Sequence, residues 1–98
     1  MDRNTIIATL KAREADLRQR GVRHIALFGS AARGDTTDAS DIDILVDLQP
    51  DAPIGVFEYV DLTQFIEDLF PVPVDVANHA RLKPHVRPSA EREAVYAF

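Results

Sequence analysis

The chain has 98 residues with 11 basic and 16 acidic side chains, a net charge of −5 and no cysteine. The length fits one small domain spanning residues 1–98. The lack of cysteine excludes disulfide frameworks, thiolate nucleophiles and zinc fingers. Since no apolar run approaches the ~18 residues that a membrane span needs, we expect a cytoplasmic protein without a membrane partner.

Charge is unevenly distributed along the chain. Residues 34–80 contain eleven acids and no Lys or Arg, whereas the two ends hold all eleven basic residues against five acids. The fold is therefore expected to bring cations toward the acidic middle. A net acidic domain also lacks the basic face on which nonspecific duplex binding depends, so nucleic acid is not expected as a stable ligand.

The first half of the chain predicts one helix and two strands. Apolar residues recur with helical spacing over residues 5–20, and Gly21 is a natural end for that helix. Val22–Phe28 then predicts a strand with Ile25 and Leu27 on one face and Val22 on the other. After a polar stretch, apolar and acidic residues alternate over Asp41–Asp47, which predicts a second strand.

The second half predicts a long helix, a short strand and a mixed tail. Residues 54–70 carry a broad apolar arc, which indicates either packing against both the sheet and the first helix or a surface for a partner. Val72–Val76 predicts a third strand, and Pro73 places it at a sheet edge or at a strand start. A short helix near residues 90–94 and a final strand over 95–98 complete the prediction.

A first candidate site lies where the first strand ends. Gly29 permits close backbone approach, Ser30 offers a hydroxyl, and Arg33 supplies a nearby cation. A strand that turns into a short helix also presents free backbone N–H groups, which suit a phosphate. Taken alone, the Gly-Ser pair is more typical of a plain capped turn.

A second candidate site is formed by acids in strands. In extended backbone, Asp41 and Asp43 lie on one face with Cα atoms about 6.5–7 Å apart, a spacing that suits Mg²⁺ or Mn²⁺. The alternative is a solvated strand face, but Asp is depleted in strands and like charges repel. Asp75 is a lone acid in the third strand, so three carboxylates converge if that strand lies beside the second.

The combination of Gly29-Ser30, Asp41-Ile42-Asp43 and a later strand Asp75 resembles the nucleotidyltransferase superfamily that includes DNA polymerase beta. The string from Gly29 to Asp47 is similar to the minimal nucleotidyltransferases, or MNT proteins. The resemblance implies an α+β fold with a small mixed β-sheet flanked by helices. It also implies ATP as substrate and Mg²⁺, as two ions, as cofactor.

The resemblance assigns a role to each matching residue. Asp41 and Asp43 would hold the metals, and Asp75 would complete the site near the attacking hydroxyl. Gly29 and Ser30 would bind the phosphates, and Arg33 matches the family's Arg after Gly-Ser. The reaction implied is in-line attack of a hydroxyl on the α-phosphate, with pyrophosphate leaving.

Many minimal nucleotidyltransferases are antitoxins, and a chain this short is not expected to hold a separate acceptor-binding domain. We therefore expect transfer of AMP to a Tyr hydroxyl of a partner HEPN-domain ribonuclease toxin. Two alternatives remain open. The chain could mask its partner without catalysis, or it could modify a small molecule or a nucleic acid.

Overall fold

A computed structural model describes residues 2–34 and 41–98, with only the backbone of Ser30 and Ala31. Its helices are α1 (Arg3–Ala12), α2 (Glu14–Gln19), α3 (Gly29–Arg33), α4 (Val56–Glu67) and α5 (Arg87–Glu93), with a 3-10 turn at His79–Arg81. Its strands are β1 (Val22–Phe28), β2 (Ile42–Leu48), β3 (Val74–Asn78) and β4 (Val95–Tyr96). Each predicted strand is present, within two residues of its expected start.

The four strands form one mixed sheet in the order β3-β2-β1-β4. β1 is antiparallel to both β2 and β4, whereas β2 and β3 are parallel. A parallel pair needs a crossover connection, and the segment between these strands contains α4. The mixed α+β architecture is thereby confirmed, and β3, which follows Pro73, lies at a sheet edge as predicted.

The first helix was predicted as one piece, which is wrong. α1 begins after Asp2, whose side chain accepts a hydrogen bond from the Thr5 backbone N–H at 2.8 Å, and it ends before Arg13. Arg13 has φ −109° and ψ 15°, outside the helical range, and α2 follows it. Periodicity could not reveal this break, because Leu10 before it and Leu17 after it are both fully buried.

The core fills one side of the sheet, between the strands and the helices. Its fully buried members come from β1, β2, α1, α2 and α4, and include Ile6, Leu10, Leu17, Val22, Ile25, Leu27, Ile44, Val46 and Ile66. The prediction that Val22 faces away from Ile25 was wrong. The pairing register shifts by one residue between Val22 and His24, and this bulge returns Val22 to the core side.

Helix α4 is buried along only part of its length. Leu62 and Ile66 are buried, whereas Val56, Phe57 and Val60 are 75%, 88% and 60% exposed. The C-terminal half of this helix therefore packs on the core and beside β3, in line with predicted packing on the sheet, and its N-terminal half leaves an apolar surface open.

No helix within residues 2–34 and 41–98 is long and apolar enough to cross a membrane.

Candidate active site

The turn from β1 into α3 brings Gly29 against the second strand. In the antiparallel register, Phe28 lies opposite Asp43, so the next residue, Gly29, adjoins the Asp43 side chain. Gly29 has φ +66°, a conformation that favours glycine. A Cβ atom at this position would lie 2.7 Å from Asp43 Oδ2, closer than the carboxylate could tolerate without moving. The backbone conformation favours glycine here, and any larger residue would push the Asp43 carboxylate aside.

The carboxylates meet because β2 and β3 are parallel neighbours. Asp43 pairs in register with Asp75, so both side chains project from the same face of strands about 4.8 Å apart. Asp41 directly precedes β2 and is exposed. The expectation that the third strand lies beside the second is thus confirmed, and it places three acids at the end of the sheet that also carries Gly29.

The three acids interact electrostatically. The pKa of the Asp43 carboxyl is raised above its ordinary value of 3.8, chiefly by partial burial and further by the charges of Asp75 and Asp41. No cation of the described residues contributes to lowering it. In the described part of the chain, the site is therefore a concentration of negative charge without a compensating cation at Asp43.

These residues suit a divalent cation by donor chemistry. Carboxylate oxygens are the ligands that Mg²⁺ and Mn²⁺ prefer, and a cation would offset the charge repulsion that adds to the effect of burial on the Asp43 pKa. The side chains do not form a complete metal site in this structure. Within residues 2–34 and 41–98, no three His, Cys, Asp or Glu side chains lie close enough together to bind a metal ion. The fit to a divalent cation is therefore one of donor chemistry and not of closed geometry.

Arg33 lies toward the C-terminal helix. One of its Nη1 contacts is Glu93 Oε2 of α5 at 3.5 Å, an exposed ion pair. The predicted contact of Arg33 with phosphate stays a prediction. The Ser30 side chain lies outside the described part of the chain, although Ser30 is the second residue of α3.

Sequence reasoning missed two residues near this region. Arg3 Nη1 donates a hydrogen bond to the Ala32 carbonyl oxygen at 2.9 Å, so α1 holds the end of α3. The second residue is Tyr59 on α4, which is half-buried, and burial raises the pKa of its hydroxyl. The charge of Arg81 acts to lower this pKa and the charge of Asp75 to raise it, so the hydroxyl lies close enough to the site to interact with Asp75. These partners are far apart in sequence, and no local pattern marks them.

Comparison with known proteins identifies the family of the chain. Residues 10–97 match the family described as the nucleotidyltransferase domain. The chain is 37% identical over 92 residues to protein adenylyltransferase MntA of Thermococcus cleftensis, which covers 93% of this chain and 91% of that protein.

Two solved structures share the fold. A proposed minimal nucleotidyltransferase superposes with a TM-score of 0.81 at 30% identity, covering 97% of this chain and 95% of that one. A toxin–antitoxin crystal structure with AMP-PNP superposes with a TM-score of 0.70 at 21% identity, covering 100% and 73%. The family predicted from the Gly29-Ser30 and Asp41–Asp43 motif is confirmed: the chain belongs to the nucleotidyltransferase domain family, has the fold of its minimal members and is a nucleotidyltransferase.

Proposed function

We propose that the chain is a Mg²⁺-dependent antitoxin that transfers AMP from ATP to a Tyr hydroxyl of a HEPN-domain ribonuclease toxin. One observation carries the proposal: Asp43 lies between Asp75 on β3 and Gly29 at the end of β1, so acids and glycine turn form one site. The names of the relatives support the choice of nucleotide and acceptor. One is a protein adenylyltransferase, and a structure with the same fold is a toxin–antitoxin complex with AMP-PNP.

Each residue of the site has a part in this function. Asp41, Asp43 and Asp75 would hold the ions, which would neutralise phosphate charge and stabilise the departing oxygen. Gly29 lets the triphosphate approach the backbone N–H groups of the turn. Ser30 and Arg33 are the proposed side-chain contacts to the phosphates, since both belong to α3.

The transfer step is an in-line displacement. The acceptor hydroxyl oxygen forms a bond to the α-phosphorus as the bond from that phosphorus to the bridging oxygen breaks. AMP becomes joined to the hydroxyl, and pyrophosphate leaves. The hydroxyl proton needs a base, and Asp75, exposed beside Asp43, is the carboxylate best placed to accept it.

The test is incubation with ATP labelled at the α-phosphate, Mg²⁺ and the purified product of the neighbouring reading frame. Label on that protein, lost with Asp43→Asn and mapped by mass spectrometry to a Tyr, supports the proposal. Inhibition of the toxin without any label would instead indicate masking. Label on a small molecule or nucleic acid would identify a different acceptor.

A further inference from the structure

The exposed part of α4 forms a compact apolar surface, which we call the α4 patch: Val56, Phe57 and Val60. Their exposures of 75%, 88% and 60% are the three highest among the large apolar side chains of the described residues. Three such side chains within one and a half helical turns are not scattered surface residues. Contiguous exposed apolar surface of this kind marks an interaction site.

A groove continues from the patch across the surface. It has a volume of about 350 Å³ and lies between α4, the end of β2 and the 3-10 turn. Besides Val56 and Val60, its lining includes Leu48, Ile54, Tyr59 and Arg81. A partner could insert a side chain into this groove and also cover the exposed Phe57 ring. Filled pockets and buried aromatic rings are both typical of the centre of protein interfaces.

The charges next to the patch indicate what covers it. Glu58 and Asp61 lie directly beside Val56, Phe57 and Val60. The basic residues are further out: Arg81 lines the adjoining groove, and Arg20 lines the pocket on the other side of the acids. A second copy bound across a two-fold axis would set this patch against itself and bring the acids of both copies together. The complementary surface is instead apolar with Lys or Arg at its rim.

We propose that the α4 patch is the docking site for the toxin partner, through an apolar surface rimmed by basic residues on the toxin. This inference rests on the proposed function. The patch adjoins Leu48 at the far end of β2 from Asp43, five residues or roughly 16 Å away along the strand. Docking there leaves the carboxylates open to the toxin's acceptor side chain.

Calorimetric titration of the purified chain with the purified toxin tests the docking site. Phe57→Asp and Val60→Asp should each raise Kd by at least about 30-fold, the scale of a central interface residue. Val86→Asp is the matched control, because Val86 is an exposed apolar residue outside the patch, 38% exposed, and should change Kd less than about threefold. Asp61→Lys should weaken binding by about tenfold at low salt and reduce its salt dependence.

The outcomes separate the two proposals. If Phe57→Asp and Val60→Asp bind the toxin as tightly as wild type while wild type still transfers AMP, the docking site is wrong and the function stands. If wild type neither binds nor labels the toxin, both are wrong. If light scattering finds the isolated wild type dimeric and Phe57→Asp monomeric, the patch serves self-association and the docking proposal is overturned.

Discussion

Asp43 and Asp75 occupy the same register on neighbouring parallel strands, so two carboxylates that are 32 positions apart in sequence lie side by side. Gly29 approaches the same Asp43 side chain from β1. The strand pairing thus creates a local excess of negative charge next to a turn without side-chain bulk. A triphosphate with its cations is the kind of ligand that such a site can accommodate.

The acids of the site should be separable from other acids on the same strand. Asp43→Asn and Asp41→Asn should each lower AMP transfer by at least about a hundredfold, because each removes negative charge proposed to hold the ions. Asp47→Asn is the control, since Asp47 also lies on β2 but pairs with Arg23 at 3.0 Å. The measurement is the rate of AMP transfer from labelled ATP. Normal transfer by a folded Asp41→Asn/Asp43→Asn double variant would contradict the proposed role of these two acids.

Two glycines allow backbone strain to be separated from a steric effect. Gly29 and Gly34 have φ values of +66° and +77°, so Ala at either costs of order 1–2 kcal/mol of stability. Among the described residues, a Cβ at Gly34 meets nothing within 4 Å, whereas at Gly29 it would displace the Asp43 carboxylate. Both variants should therefore melt lower, but only Gly29→Ala should lose ATP affinity, by tenfold or more, in calorimetry with Mg²⁺. Equal ATP affinity in both variants would limit the Gly29 turn to a structural role.

Most of the sheet and its acids could be predicted because they depend on local pattern. The alternation in β2 identified a strand with Asp43 and Ile44 on opposite faces, and Asp75 stood out as an acid in a short apolar strand. That β2 and β3 are neighbours could be predicted only from the family resemblance, because the sequence of a single strand does not show which strand it pairs with. The break at Arg13 was missed because the buried residues on either side of it keep helical spacing. The bulge after Val22 was missed because strict alternation assumes that a strand contains no extra residue.

Contacts between distant segments were also beyond prediction. Arg3 reaches the Ala32 carbonyl across 29 positions, and Arg33 reaches Glu93 across 60. Exposed basic side chains have many partners available, so their choice depends on the completed fold. The sequence predicted that the fold brings cations toward the acidic middle of the chain. The ion pair between Arg23 and Asp47 is an example of this among the described residues.

Arg3 should act on ATP binding through α3. Its hydrogen bond to the Ala32 carbonyl holds the end of the helix that begins at Gly29. Arg3→Met removes the donor while keeping an apolar stem, and should raise KM for ATP severalfold with a smaller effect on kcat. Arg92→Met is the control, because Arg92 is an exposed residue of α5. A fall in kcat with KM unchanged would contradict a positioning role.

The charge of the site should be measurable in the apo protein as a dependence of stability on pH. The folded pKa of Asp43 lies above the ordinary 3.8, so the ionised carboxylate destabilises the fold above that folded pKa, and the cost disappears as pH falls toward 3.8. Because Asp43 is only partly buried, solvent screening leaves less than about 1 kcal/mol, or a few degrees in Tm. In EDTA, Asp43→Asn should thus melt a few degrees above wild type at pH 7 and at the same temperature near pH 4.

Ligand and control variants complete this measurement. Mg²⁺ with ATP should raise the Tm of wild type by binding linkage and remove the advantage of Asp43→Asn. Asp47→Asn breaks the ion pair with Arg23, so at pH 7 it should melt at or below wild type, opposite in sign to Asp43→Asn. If Asp43→Asn melts no higher than wild type in EDTA at pH 7, the carboxylates do not repel one another, and the electrostatic case for a cation at this site fails.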